Sequence, residues 1–246
     1  MTTMPPPPPA PGPPVTPEEE FVRRSPRLPV LGAIGLMAIG AIAAVAIARS
    51  RGHQPGRATL KSGWTSHTVA AGGFSIGLPP NWTSISTTSA GDAYEALRAA
   101  NPQLANLVKD QLGLTASSLI KLLAFDVRSP TIALGVPTSM NVVVAPIAGG
   151  VDLDVFLAQN LAELRRTPGI TGTIGTQRVM LPAGEFALVS SHLSANGPGG
   201  AQEIAISQYL TVSQTRGYIV SFSTLPSYLN KYTDLFQEIA RTMRFR

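Results

Sequence analysis

Apolar positions recur along this chain in three rhythms, and each predicts a different element. The first is unbroken: Leu28 to Ala48 is a run of 21 positions with no charged, amide or hydroxyl side chain, bracketed by Arg23, Arg24, Arg27, Arg49 and Arg51. At about 1.5 Å of rise per residue a helix of that length measures about 31 Å and matches a hydrocarbon core of roughly 30 Å. The pattern predicts one transmembrane helix over residues 28–48. The second rhythm alternates apolar with small or polar residues. It predicts short strands at Phe74–Leu78 and Trp82–Thr87, joined at Pro79-Pro80-Asn81 as a hairpin, and further strands at Ile120–Val127, Met140–Ile147, Gly172–Leu181, Phe186–Ser194, Glu203–Ser213 and Tyr218–Thr224. The third recurs at three- and four-residue steps and predicts helices. One follows Asp92, with Leu97, Leu104, Leu107, Val108 and Leu112; a second opens at Asp152 and carries Leu153, Phe156, Leu157, Leu161 and Leu164 on one face. The last starts at Pro226 and buries Leu229, Tyr232, Leu235, Phe236, Ile239 and Met243.

Runs of hairpin-linked strands with helices between them indicate an α+β fold, an antiparallel sheet covered by helices. The organisation that follows is an arm over 1–27, a span over 28–48, a polar, basic, Gly/Pro-punctuated tether over 49–66 and a folded domain over 67–246. Met1 to Pro17 holds nine of the 22 prolines and almost nothing apolar to bury, so the arm is expected to be disordered with polyproline II character. It reads as a solvated spacer or as a ligand for a proline-recognising partner.

The span also offers small-x-small cleavage sites at Ala44-Val45-Ala46 and Ala46-Ile47-Ala48, as a signal peptide would. Its apolar length exceeds the 7 to 15 residues usual for such a peptide and 27 residues precede it, which favours an uncleaved signal anchor. Gly40, Ala44 and Ala48 form a small-xxx-small face suited to packing a second copy. Arginines flank both ends, so the positive-inside rule leaves the direction of insertion open.

Charge changes the picture in one respect. The formal charge of +5 suggests a nucleic-acid partner, yet residues 1–63 hold seven Lys/Arg and three Asp/Glu, leaving twelve and eleven for the rest. The domain is therefore nearly neutral, the excess is juxtamembrane, where it favours anionic lipid, and nucleic-acid binding is not expected. The absence of cysteine excludes disulfides, thiolate nucleophiles and cysteine-held metals.

No reaction centre emerges from the motifs. Ser118-Leu119-Ile120-Lys121 and Ser139-Met140-Asn141 imitate two boxes of penicillin-interacting serine enzymes, but the third, Lys-Thr-Gly, is missing. His53, His67 and His192 are too scattered for a metal-ligand motif, and Ser191-His192 lacks a nucleophile elbow and alternates faces on a strand. Asp152 and Asp154 stand at a helix start, where capping explains them without acid-base chemistry or calcium. Gly169, Gly172 and Gly175 lack the strand-to-helix order of a phosphate cradle, and Asn81-Trp82-Thr83 matches a glycosylation acceptor only formally.

The segment Gly73-Phe74-Ser75-Ile76-Gly77-Leu78-Pro79-Pro80-Asn81-Trp82 resembles the "FSxxLPxxW" hairpin of PsbP-like domains, and Tyr232 to Phe245 resembles their terminal helix ending in "SFRF". The resemblance covers roughly Ser66 to Arg246 and includes LpqN-type exported proteins. It implies a PsbP-like α/β/α sandwich in which Phe74, Leu78, Pro79, Trp82, Phe236, Ile239 and Phe245 are structural positions. It also implies a cytoplasmic arm, an extracytoplasmic domain at the cell membrane and an accessory, non-catalytic role. The chain departs from the lipoprotein pattern by having no Cys to acylate and a helix in its place. The expected function is thus a single-pass binding module without cofactor or metal, whose partners are membrane lipid and either an envelope protein or a hydrophobic small molecule. An envelope-associated serine hydrolase is the alternative.

Overall fold

The computed structural model describes residues 60–86, 119–147, 151–197 and 200–246, together with the helical positions Glu95, Arg98, Ala99, Pro102 and Ala105. The arm, the span with Leu28, Gly40, Ala44 and Ala48, the tether before Leu60, His53, Ser118 and most of the helix predicted after Asp92 lie outside the described residues. Among the described residues no helix is long and apolar enough to cross a membrane.

The strands are β1 (Thr65–Val69), β2 (Phe74–Leu78), β3 (Trp82–Ser86), β4 (Ile120–Asp126), β5 (Ser139–Pro146), β6 (Ile170–Leu181), β7 (Gly184–Gly197), β8 (Gly200–Ser213), β9 (Arg216–Thr224) and β10 (Arg244–Phe245). Helix α1 (Leu153–Arg166) joins β5 to β6, and α2 (Pro226–Arg241) joins β9 to β10. Over these elements the fold is mostly antiparallel sheet, with helices α1 and α2 between strands. Seven strands form one sheet in the order β3-β4-β5-β9-β8-β7-β6, and three form a second in the order β1-β2-β10.

Alternation within strands splits the large sheet into two apolar faces. Leu123 and Phe125 of β4, Val143 of β5, Ile219 of β9 and Ile206 and Leu210 of β8 pack with Phe156 and Leu164 of α1. Leu122, Ala124, Val142, Val144, Tyr218, Val220 and Phe222 point the other way, onto Phe74, Ile76 and Leu78 of β2 and Tyr232, Phe236 and Ile239 of α2. A bulge between Ile120 and Leu122 resets the alternation so that Ile120 stays with Leu123 on the α1 face. Gly217 permits a close approach of α1, since a Cβ there would sit 2.5 Å from the Phe156 ring. Asp152 caps α1 by accepting from the Val155 N–H at 2.9 Å, as its position at the helix start predicts.

Three expectations are corrected. β2 and β3 do not form a hairpin: the turn is present, with the Trp82 N–H donating to the Pro79 carbonyl at 3.0 Å, but it passes the chain from the small sheet to the large one. Both edges of β2 are taken, by β1 and β10, so β3 pairs with β4 instead. Second, Thr65 and Ser66, read as tether, already belong to β1, paired with Leu78 and Gly77. Third, the final helix stops at Arg241 and Arg244–Phe245 is a strand on β2.

Candidate functional site

The α1 face of the central sheet should be uniformly apolar, and it is not. Asn141 of β5 stands opposite Ser221 of β9, and Ser221 opposite Gln208 of β8. These three share the face of Val143, Ile219 and Leu210, and all are buried. The Gln208 side-chain amide donates to Ser221 Oγ at 3.1 Å. One step along, Ser139 and Ser223 lie opposite each other with their hydroxyls 2.7 Å apart. A polar band thus crosses the interior of an apolar layer.

The helix opposite contributes to it. Asn160 lies one turn from both Phe156 and Leu164, the two fully buried residues of α1, so helical spacing aims it at the sheet. Asn141 Oδ1, Gln159 Oε1, Asn160 Oδ1 and Ser191 Oγ are shut from solvent without a hydrogen-bond partner among the described residues. Each such group costs about 1–3 kcal/mol when buried unpaired. Four such oxygens lie on α1 and on the face of the central sheet that it covers.

A second polar cluster is satisfied. Asp126, 3% exposed, accepts at Oδ1 from Asn81 Nδ2 at 2.7 Å and the Arg128 N–H at 3.0 Å, and at Oδ2 from the Tyr232 hydroxyl at 2.7 Å. Ser129, Thr131, Thr138 and Thr224 extend it as a chain of buried hydroxyls. Burial raises the Tyr232 phenol above its ordinary range, with Ser129 opposing and Asp126 reinforcing the rise, so it remains a donor at physiological pH. This cluster ties α2 to the turn after β4. Asn81, nominally a glycosylation acceptor, spends its amide here.

The histidines do not converge. His67 Nδ1 lies 2.8 Å from Ser84 Oγ, linking β1 of the small sheet to β3 of the large one, and burial lowers the imidazole pKa. His192, 43% exposed, pairs with Glu203 at 2.8 Å, while its neighbour Ser191 faces the interior. Asp154 is exposed and pairs with Arg178, and Lys121 lies on β4. Among the described residues no three His, Asp or Glu side chains gather as a metal site. Phe74, Leu78, Trp82, Phe236, Ile239 and Phe245 all pack in the core beneath the small sheet, and Pro79 supplies the turn carbonyl. Phe236 stacks on Phe222 at 4.5 Å, and Phe245 tilts against Tyr218 at 4.6 Å. Sequence reading missed Asn160, because it interrupts a leucine stripe, and Ser84, because its partner is on another sheet.

No family model matches this chain and no curated protein sequence matches it. Among solved structures it is similar to cyanobacterial PsbP (CyanoP) from Synechocystis, at 9% identity and a TM-score of 0.43 over 82% of this chain and 99% of that one. It is also similar to LpqN, involved in cell envelope biogenesis of Mycobacterium tuberculosis, at 16% identity and 0.36 over 50% and 70%. A protein of unknown function from Pseudomonas aeruginosa matches at 13% identity and 0.39 over 45% and 74%. Likenesses at this level say nothing of activity, and the fold described above rests on its own strand pairing.

Proposed function

We propose that this chain is a single-pass, membrane-anchored binding protein whose PsbP-like domain lies outside the cytoplasm and holds an amphipathic small molecule between α1 and the central sheet without chemical turnover. The single observation that supports it is the set of side-chain oxygens of Asn141, Gln159, Asn160 and Ser191, shut from solvent without a hydrogen-bond partner among the described residues. An apolar interior with a few convergent polar groups is the usual make-up of a small-molecule site. The unbroken apolar run at 28–48 supports the anchor, and the motif likeness supports the outward placement of the domain. Native mass spectrometry of the full-length chain released gently from detergent tests the binding. The expected spectrum shows the protein with a retained ligand, and Asn141→Leu/Asn160→Leu loses that adduct while remaining folded. A spectrum of bare protein from every preparation would overturn the reading.

One observation favours a second reading. The Ser84–His67 contact at 2.8 Å is an assembled Ser/His pair, and a neutral imidazole is what a general base requires. A serine hydrolase acting on envelope substrates would then use Ser84 as nucleophile. Labelling of the intact chain by a fluorophosphonate probe, abolished in Ser84→Ala, would establish it, whereas unlabelled protein leaves the pair as a tie between sheets.

A further inference from the structure

A second recess lies on the outer face of the three-stranded sheet. Residues opposed across a ladder share a face, and the register places Ser66 opposite Gly77, and both Thr68 and Arg244 opposite Ser75. Phe74 and Ile76 occupy the alternate positions and pack inward, and Phe245, opposite Phe74, is partly buried against the same core. The outward face therefore carries three hydroxyls and a glycine, and the cleft of about 370 Å³ over Ser66, Ser75 and Gly77 is lined also by Leu60, Thr242, Arg244, Phe245 and Arg246. Gly77 admits Leu60 against this face, since a Cβ there would collide with it.

Arg244 and Arg246 are two residues apart in extended chain and so project to the same side. The Arg246 N–H donates to the Gly73 carbonyl at 2.9 Å, which continues the β10 ladder, and its guanidinium reaches Thr68 Oγ1 at 3.1 Å. Neither arginine pairs with a carboxylate among the described residues, and no Asp or Glu lines the cleft. Lys61, next to Leu60, is already engaged with Glu238.

We propose that this cleft binds a phosphate ester of a small polyol, chemistry shared by anionic phospholipid headgroups and by soluble glycerol or sugar phosphates. A guanidinium presents parallel N–H donors to phosphate oxygens; Arg244 and Arg246 both line the cleft, and Ser66 and Ser75 supply hydroxyls for the polyol. The volume exceeds what a bare phosphate fills and falls in the range of small-molecule sites. Leu60 follows Ala48 by twelve residues, which span at most about 43 Å in any conformation. With 28–48 in the bilayer, the cleft is held within that distance of the headgroups. The lipid source thus rests on the anchor proposed above, while the cleft's affinity for the phosphate ester does not.

Hydrogen exchange of the full-length chain in nanodiscs tests the proposal, read at peptides covering 73–78 and 242–246. Three conditions are compared: phosphatidylcholine alone, phosphatidylcholine with phosphatidylglycerol, and phosphatidylcholine with added soluble glycerol phosphate. Co-elution with the disc reports the anchor separately. Slowed exchange in either of the last two conditions supports the cleft and says whether the ester comes from lipid or solution. The apparent affinity for glycerol phosphate is expected to fall about tenfold for each of Arg244→Gln and Arg246→Gln, and to be unchanged in Arg165→Gln/Arg166→Gln on α1. Unchanged exchange in both conditions, or slowing that persists when Arg244 and Arg246 are both replaced in a chain of unaltered melting temperature, would overturn it.

Discussion

At the scale of single residues, two contacts across the molecule make opposite demands on protonation. The Tyr232 hydroxyl is one of three donors to the buried carboxylate of Asp126. Tyr232→Phe removes that donor without changing the ring that stacks on Phe236 at 5.6 Å. The expected loss is about 1–3 kcal/mol in denaturant unfolding, and a variant as stable as the parent would show that Asp126 does not depend on it. Burial holds His67 neutral below its ordinary pKa of 6.5. The unfolded chain therefore binds the proton more readily, so the stability from this site is present above pH 6.5 and is lost as pH falls through the lower folded value. Melting temperatures of the parent should drop more steeply than those of His67→Gln between pH 7.5 and pH 5. Parallel profiles would deny the imidazole that role. Tyr209, pushed up to about 12 by burial, stays out of this range.

At the scale of elements, legibility followed the distance between partners. The stripe on α2 and the alternating face of β8 could be read directly, because a periodic pattern contains its own register. The pairing of β2 could not: one partner begins within the presumed tether, and the other lies beyond Thr242, whose hydroxyl accepts from the Gly77 N–H at 2.7 Å across 165 residues. A turn motif between two apolar runs says hairpin, and nothing local says that both edges of the first run are taken. Because Phe74 is fully buried at the centre of that small sheet and meets Tyr218 edge-on at 6.2 Å, Phe74→Ala should cost about 3–5 kcal/mol by unfolding. A loss below 1 kcal/mol would mean that the small sheet is only loosely docked. The polar band was legible only in part. Ser139 and Asn141 fall in a false enzyme box, whereas Asn160 reads as a break in a leucine face. Asn160→Leu distinguishes its roles: it should raise the stability of the ligand-free chain by about 1–3 kcal/mol, by removing an amide oxygen that is shut from solvent without a partner among the described residues, and lower ligand retention. Destabilisation of the ligand-free chain would show that the amide has a structural partner.

At the scale of the whole molecule, the two sides of the central sheet differ in kind. The side beneath the small sheet and α2 holds the residues that carry the PsbP likeness, packed as ordinary aromatic core; the α1 side holds buried polar groups that core packing does not require. The function proposed depends on that contrast and on the apolar run that would hold the domain beside a bilayer. Alkaline carbonate extraction of membranes should leave the chain in the pellet, and recovery in the supernatant would remove the anchor. For the binding layer the decisive quantity is linkage between ligand and folding, because a molecule bound only to the folded state raises its stability by mass action. The measurement is the melting temperature of the full-length chain in detergent before and after organic extraction of bound small molecules, then after the extract is returned. The expected result is a fall of several degrees on extraction and recovery on return, with no such cycle in Asn141→Leu/Asn160→Leu. A melting temperature that extraction and return leave unmoved in the parent would contradict a ligand held between α1 and the sheet.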